Sequence, residues 1–240
     1  PIVLPILGDS DQLTTQQKKS MADWRQEVRD FTRVNQGKIF INGPQTDKMV
    51  CLTFDDGPDD IVTPQIIAIL NYYQVKGNFF FKGNQVRKYQ EVVKQAYEDG
   101  HLVLSHAYSH QELNKMNGHD IDKEIWATDK VFDEVLGIKP ALMRPPFGAV
   151  NQDVLNEADH NGDKLILWSI DTLDWSQKDK ENIAQNVLRN VRPGEIILMH
   201  CNQDKQATAD ALPLIIEGLS ERGYQIVSLS EMLQVPAYKE

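Results

Sequence analysis

Two adjacent carboxylates, Asp55 and Asp56, close the apolar run Met49–Phe54, and two imidazoles, His106 and His110, follow further along at a spacing of four. Carboxylates this close repel unless a cation lies between them or one keeps its proton. Imidazoles four apart are neighbours on one helical turn, and each can bring a nitrogen to about 2.0–2.1 Å from one Zn²⁺. With Asp56 as a third ligand the set is two His and one carboxylate. That set leaves coordination positions open, as in a catalytic rather than a structural zinc site. Calcium prefers an all-oxygen shell, and DDGPDD lacks the spacing of an EF-hand loop. Successive strand side chains point to opposite faces. Asp55 and Asp56 therefore share a site only where a strand ends and the backbone swings, and Gly57-Pro58 supplies that swing.

The elements that position these groups follow from pattern. Thr14 to Asn35 carries Trp24, Val28 and Phe31 at helical spacing and reads as an amphipathic helix. Lys38–Asn42 reads as a short strand and Gly43-Pro44 as a joint, so residues 1–43 form an N-terminal extension and 44–240 the main domain. From Met49 onward strands and helices alternate. Strands are expected at 49–54, 79–81, 101–104, 141–144, 164–170, 195–199 and 225–229. The second helix starts with Thr63 as N-cap and Pro64 in the first position. The others cover the stretch up to Tyr97, then 120–136, 153–160, 182–191 and 208–222. Repeated βα order implies a parallel sheet, and both a doubly wound sheet and a barrel fit it. Asp55, His106, Arg144, Asp171 and His200 all fall at C-terminal strand ends. Several strands feeding one site suits a barrel rim, so the expected fold is α/β, a distorted incomplete (β/α)7 barrel.

With 240 residues, 41% hydrophobic and 25% charged, the chain has the composition of a soluble globular protein. Its formal net charge of -10 argues against nucleic acid as a partner. No apolar run reaches membrane-spanning length, and the opening PIVLPIL is too short and too proline-rich for an anchor or an intact signal peptide. If Asp55 and His200 both lie at the rim, Cys51 and Cys201 differ in height by roughly 13 Å. A disulfide needs Cα atoms within about 7 Å, so the two thiols are expected to stay unbridged.

TFDDGP at Thr53–Pro58, HxxxH at His106–His110, RPPFG at Arg144–Gly148, DTLDW at Asp171–Trp175 and LMH at Leu198–His200 occur in this order. In that order they resemble the five motifs of the polysaccharide deacetylases, carbohydrate esterase family 4. The resemblance spans about Lys48 to Leu233. It implies a distorted (β/α)7 barrel and a metal-dependent hydrolase that removes acetyl groups from N-acetylated glycans such as chitin oligomers and peptidoglycan, or from O-acetylated xylan. It further implies that Asp56, His106 and His110 hold the metal and that Asp55 is the general base, held by Arg144. His200 is then the general acid, tuned by Asp174. Trp175 and Leu198 line the acetyl pocket and groove, and the backbone near Phe147 helps hold the oxyanion. Asp171 belongs either with the substrate-binding residues or in an ion pair with Arg144. Two positions depart from the family pattern: Ala107 replaces the usual Ser or Thr and forfeits a side-chain hydrogen bond in the metal loop, and Phe147 replaces a common Tyr.

The chemistry suits these groups. Acetamide is a poor electrophile and water a poor nucleophile, and a divalent ion with open positions addresses both. A carboxylate takes the proton of the attacking water. The oxyanion needs a backbone N–H or the metal, and the leaving amine needs a proton donor such as His. Zinc is the expected metal, with cobalt or nickel as substitutes. The substrate class places the protein outside the cell or in its envelope. The alternatives at this level are an O-acetyl xylan esterase and a catalytically silent glycan-binding barrel.

Overall fold

The alternation is realised in a computed structural model that describes residues 2–240. The elements in order are α1 (Thr15–Val34), β1 (Ile39–Phe40), β2 (Met49–Asp55), α2 (Val62–Tyr72), β3 (Asn78–Phe81), α3 (Gly83–Val86) and α4 (Gln90–Glu98). Next come β4 (Leu102–Ser105), α5 (Gly118–Leu136), β5 (Leu142–Met143), α6 (Gln152–His160), β6 (Lys164–Ile166) and β7 (Ile170–Asp171). The chain closes with α7 (Lys180–Leu188), β8 (Ile196–His200), α8 (Gln206–Glu221), β9 (Gln225–Ile226) and α9 (Leu229–Leu233). The sheet order is β1-β6-β5-β4-β3-β2-β8-β7, with β9 beside β2. Every strand pairing in it is parallel.

The continuous strand expected over 164–170 is split. The Leu165 and Leu167 N–H groups donate to Lys38 and Phe40, whereas Ser169 donates to Ile196. The chain changes neighbour at Trp168, and one unbroken ladder cannot follow such a change. The split also decides the architecture. Only Leu167–Ser169 separate β6, near one end of the sheet path, from β7 at the other end. An open doubly wound sheet would hold its two ends apart, so the sheet is instead curled into an incomplete (β/α) barrel. Residues ahead of Gly43 pack at this split. β1 lies beside β6, Leu7 bridges to Ile170, and the Leu4 N–H donates to the Asn42 side chain.

Side-chain parity sorts the core. Val50, Leu52 and Phe54 of β2 join the apolar layer under the helices, while Cys51 joins the layer inside the barrel. The same alternation puts Ile196 and Leu198 inside and Ile197 and Met199 outside on β8. Period-2 geometry therefore aims Asp55 and His200 inward, and the register pairs them directly across β2 and β8. Cys51 pairs with Ile196 at the other end of that ladder, and both thiols are free and buried, as their difference in height requires.

Two helix starts show how local chemistry sets the boundaries. Thr14 caps α1 in a reciprocal capping box with Gln17. At α2 the cap differs from the expected Thr63. The Asp59 carboxylate accepts from the N–H groups of Ile61, Val62 and Thr63, and Thr63 lies inside the first turn, its hydroxyl donating to the Cys201 carbonyl. A carboxylate satisfies several free N–H donors and complements the positive helix end, which a hydroxyl does less well.

Candidate active site

The C-terminal ends of β2, β4, β5, β7 and β8 surround one cavity of about 550 Å³. Its lining includes Asp55, Asp56, His106, His110, Phe147, Asp171, Trp175, Leu198 and His200. β2 ends at Asp55, and Asp56 follows with φ +74, which swings its side chain to the same site. Sequence-adjacent carboxylates thus converge through one left-handed residue after the strand end.

His106 and His110 converge by another route than the helical turn expected for them. Residues 106–110 form an irregular loop in which Ala107 has φ +61 and His110 φ +58. The loop is pinned from outside. The Ala107 N–H donates to Ser105 Oγ, the Ala107 carbonyl accepts from Gly83, and Glu124 Oε1 accepts from both the N–H and the hydroxyl of Ser109. These bonds order the segment although residue 107 has no hydroxyl. Left-handed non-glycine residues also include Phe147 (φ +63) and Leu173 (φ +58), so backbone strain gathers at this rim.

One nitrogen of each imidazole and one carboxylate oxygen of Asp56 all lie within 4.8 Å of one another. His110 Nε2 stands 2.9 Å and His106 Nε2 3.2 Å from Asp56 Oδ1, yet that buried oxygen makes no hydrogen bond. His106 Nδ1 lies 2.7 Å from the Arg144 carbonyl, which can only accept, so Nδ1 carries the proton and a neutral His106 turns a lone pair on Nε2 toward Asp56. Lone pairs facing lone pairs call for a cation. The donor set, one carboxylate and two imidazoles with a backbone carbonyl orienting one ring, fits a divalent transition metal.

Two buried dyads flank that triad. Arg144, fully buried, spreads its guanidinium over Asp55 Oδ1 (2.9 Å), Thr53 Oγ1 (2.8 Å) and the carbonyls of Ile166 and Leu167 (3.1 and 2.7 Å). Those carbonyls are available because the strand changes partner there. Burial lowers the Arg144 pKa while Asp55 and Asp171 raise it, and a guanidinium stays charged. On the other side His200 Nδ1 lies 2.7 Å from Asp174 Oδ1, while Asp174 Oδ2 accepts from the His200 N–H and the Thr208 hydroxyl, both at 2.7 Å. Burial would lower His200, but Asp174, then Asp56 and Asp55, outweigh it and raise it to about 10.

Asp171 does not bond to Arg144. It accepts from the Leu173 N–H (2.8 Å) and from Trp175 Nε1 (3.1 Å), and burial pushes its carboxyl up. Its place is beneath Trp175, which remains 47% exposed at the cavity mouth. Phe147, 63% exposed, lies against His110 with ring centroids 4.8 Å apart. Leu198 is buried in the cavity floor. His101 lies away from the site, accepting from the Gly77 N–H, and burial lowers it to about 4.

For several site groups the sequence carries no sign of the partner they meet. Thr53 and Thr208 are threonines within ordinary apolar patterns, and nothing in either segment shows which carboxylate or guanidinium it will meet. Glu124 sits on α5 like any helical acid. Met21, Trp24 and Arg25 of α1 also line the cavity, though the spacing of Trp24 marks only an apolar helix face.

Comparison with known proteins agrees with this geometry. The polysaccharide deacetylase family model matches residues 42–166. A peptidoglycan-N-acetylglucosamine deacetylase of Bacillus cereus is 35% identical over 215 residues, covering 89% of this chain and 78% of that protein. The peptidoglycan-N-acetylglucosamine deacetylase PgdA of Listeria monocytogenes is 36% identical over 188 residues, 78% of this chain but 39% of that longer protein. A crystal structure of the Bc1960 peptidoglycan N-acetylglucosamine deacetylase superposes with a TM-score of 0.84 at 34% identity, over 87% of this chain and 99% of that one. The chain belongs to the polysaccharide deacetylase family.

Proposed function

We propose that this chain is a metal-dependent hydrolase that removes acetyl groups from an N-acetylglucosamine-containing glycan, peptidoglycan or a chitin-like polymer, outside the cell or in its envelope. The supporting observation is the arrangement around Asp56, His106 and His110. An anchored carboxylate lies on one side, an imidazole paired to a second carboxylate on the other, and all face one cavity. The Bacillus cereus and Listeria monocytogenes relatives are named as peptidoglycan-N-acetylglucosamine deacetylases, which supports this reading.

Asp56, His106 and His110 would hold the ion, with zinc as the expected metal and cobalt or nickel as substitutes. When bound, a divalent ion there lowers the pKa of water towards ~7 and polarises a carbonyl oxygen. Asp55, fixed by Arg144, accepts the proton of the attacking water. His200, kept protonated by Asp174, delivers a proton to the departing amine. The Phe147 N–H, which meets no acceptor among the described residues, is free to bind the developing oxyanion. Trp175, supported by Asp171, and the apolar Leu198 bound the space for a sugar ring and its methyl group.

The test is acetate release from N-acetylglucosamine oligomers, purified peptidoglycan and acetylated xylan, with and without chelator, for the native protein and Asp55→Asn. Release from the N-acetylated glycans, abolished by chelation and by the substitution, is the expected result. Release that survives both treatments sinks the proposal, and release confined to xylan replaces it with ester hydrolysis.

A further inference from the structure

The α1 helix lies across the rim, and its side chains are part of the cavity that holds the metal triad. One of them does more than fill space. Trp24 Nε1 donates to the Gly148 carbonyl at 3.1 Å, and its ring stacks on Trp168 with centroids 5.0 Å apart. Gly148 makes that approach possible: a Cβ there would lie 2.4 Å from the Trp24 ring and 2.8 Å from Trp168. The turn being held is a costly one. Phe147 and Gly148 are consecutive left-handed residues, both with φ +63, a region that an aromatic side chain enters only under strain. Internally the turn has the Gly148 N–H on Pro145 and the Ala149 N–H on Pro146. Its outward carbonyl is the one Trp24 takes.

What the turn carries explains why its position matters. The Phe147 N–H is unpaired among the described residues, and the Phe147 ring packs on His110. Trp168 in turn lies 5.5 Å from the Arg144 guanidinium that anchors Asp55. One indole thus touches both the turn beside the metal triad and the packing behind the Asp55 anchor, from a helix that precedes every motif of the catalytic chemistry.

We infer that Trp24 is a positioning residue for the deacetylation step, fixing the Phe147–Gly148 turn so that its free N–H stands where the oxyanion forms. The inference rests on the function proposed above. Its consequence is specific: loss of the indole N–H lowers turnover without lowering ground-state binding, because a displaced donor is missed mainly in the transition state.

Trp24→Phe keeps an aromatic ring to stack on Trp168 and removes the donor; Trp24→Leu removes both. Acetate release from an N-acetylglucosamine oligomer is measured for both variants, together with zinc binding by titration and amide hydrogen exchange at Ala149. For Trp24→Phe the expected result is a kcat about tenfold lower, with KM within about twofold, unchanged zinc affinity, and faster exchange at Ala149. Trp24→Leu is expected to fall further. Native kcat in Trp24→Phe, or a loss that lies in KM or follows zinc affinity, overturns the inference while leaving the proposed function intact. If the native protein releases no acetate, the function falls instead, and exchange at Ala149 alone decides: unchanged exchange in Trp24→Phe refutes the role of the indole in ordering the turn, and faster exchange upholds it.

Discussion

Asp56 at the barrel rim and Asp163 at the end of α6 present the same local problem. Each has a buried Oδ1 without a hydrogen bond, and each lies near another carboxylate. The two regions resolve it differently. Beside Asp163 the chain supplies its own cation: Lys239 reaches Asp129 at 2.6 Å and Asp163 at 3.3 Å and ties the C-terminal segment to α5 and the loop after α6. One lysine between two carboxylates is an incomplete match. Burial, with a further push from Asp129, raises Asp163 to about 7 against the pull of Lys239, so a proton completes the balance. Beside Asp56 the nearest groups are imidazole nitrogens, and among the described residues the only fully buried guanidinium at the rim is spent on Asp55. Neither lysine nor arginine reaches Asp56 among the described residues. A buried carboxylate supplied with a side-chain cation is a clamp; one supplied with lone pairs is a receptor for a cation from outside.

Removing the internal cation at the rim is the largest expected perturbation. Arg144→Leu strands the buried Asp55 carboxylate, the Thr53 hydroxyl and the carbonyls of Ile166 and Leu167. A loss on the order of 3–5 kcal/mol is expected in denaturant unfolding, together with loss of acetate release. Retention of the native midpoint would show that the carboxylate finds water instead.

The clamp is expected to respond to pH. A carboxyl whose folded pKa is raised contributes stability that is fully present below its unfolded value near 3.8 and is lost as pH climbs through about 7. Asp163→Asn removes that dependence. The variant should gain about 4 kcal/mol relative to the native protein between pH 4 and 8, read as converging and then crossing melting curves. Parallel curves would mean that Lys239 already balances both carboxylates.

The receptor responds to metal instead. Zinc at a hundredfold excess over its dissociation constant should add about 2.7 kcal/mol to unfolding free energy. A chelator should reverse the gain, and His106→Ala should abolish it. Asp163→Asn, remote from the rim, should leave the gain in place. A zinc effect that persists in His106→Ala would place the ion elsewhere.

The most local readout is a proton affinity. In metal-free protein the His200 imidazole should titrate near pH 10 by NMR. Because its folded pKa is raised, the Asp174 pair stabilises the fold fully below about 6.5 and loses that contribution as pH rises through 10. Asp174→Asn should move the titration markedly downward; no movement would assign the shift to other carboxylates.

Much of this was legible before folding. The βα alternation, the placement of Asp55 and His200 at C-terminal strand ends, the gathering of Asp56 with His106 and His110 and the free cysteines all follow from period, spacing and residue type. The exceptions share a cause. His106 and His110 look like one helical turn because a spacing of four is ambiguous between a helix and a strained loop, and only contacts from Gly83, Ser105 and Glu124 select the loop. The strand over 164–170 looks continuous because its residues are uniformly apolar; its break reflects a change of neighbour. Asp171 looks equally suited to Arg144 and to substrate, and the fold gives it to Trp175 and Leu173.

By itself the sequence determined the elements, the face each presents and the residue types that could do the chemistry, since these depend on interactions within a few residues of chain. The tertiary structure alone decided who meets whom: Arg144 with Thr53 and the carbonyls of Ile166 and Leu167, Thr208 with Asp174, and Trp24 with Gly148 across 124 residues. Hydrogen bonds and close packing act over only a few ångströms, and no local pattern records which distant segment will be brought within that range when the sheet curls and its ends come together.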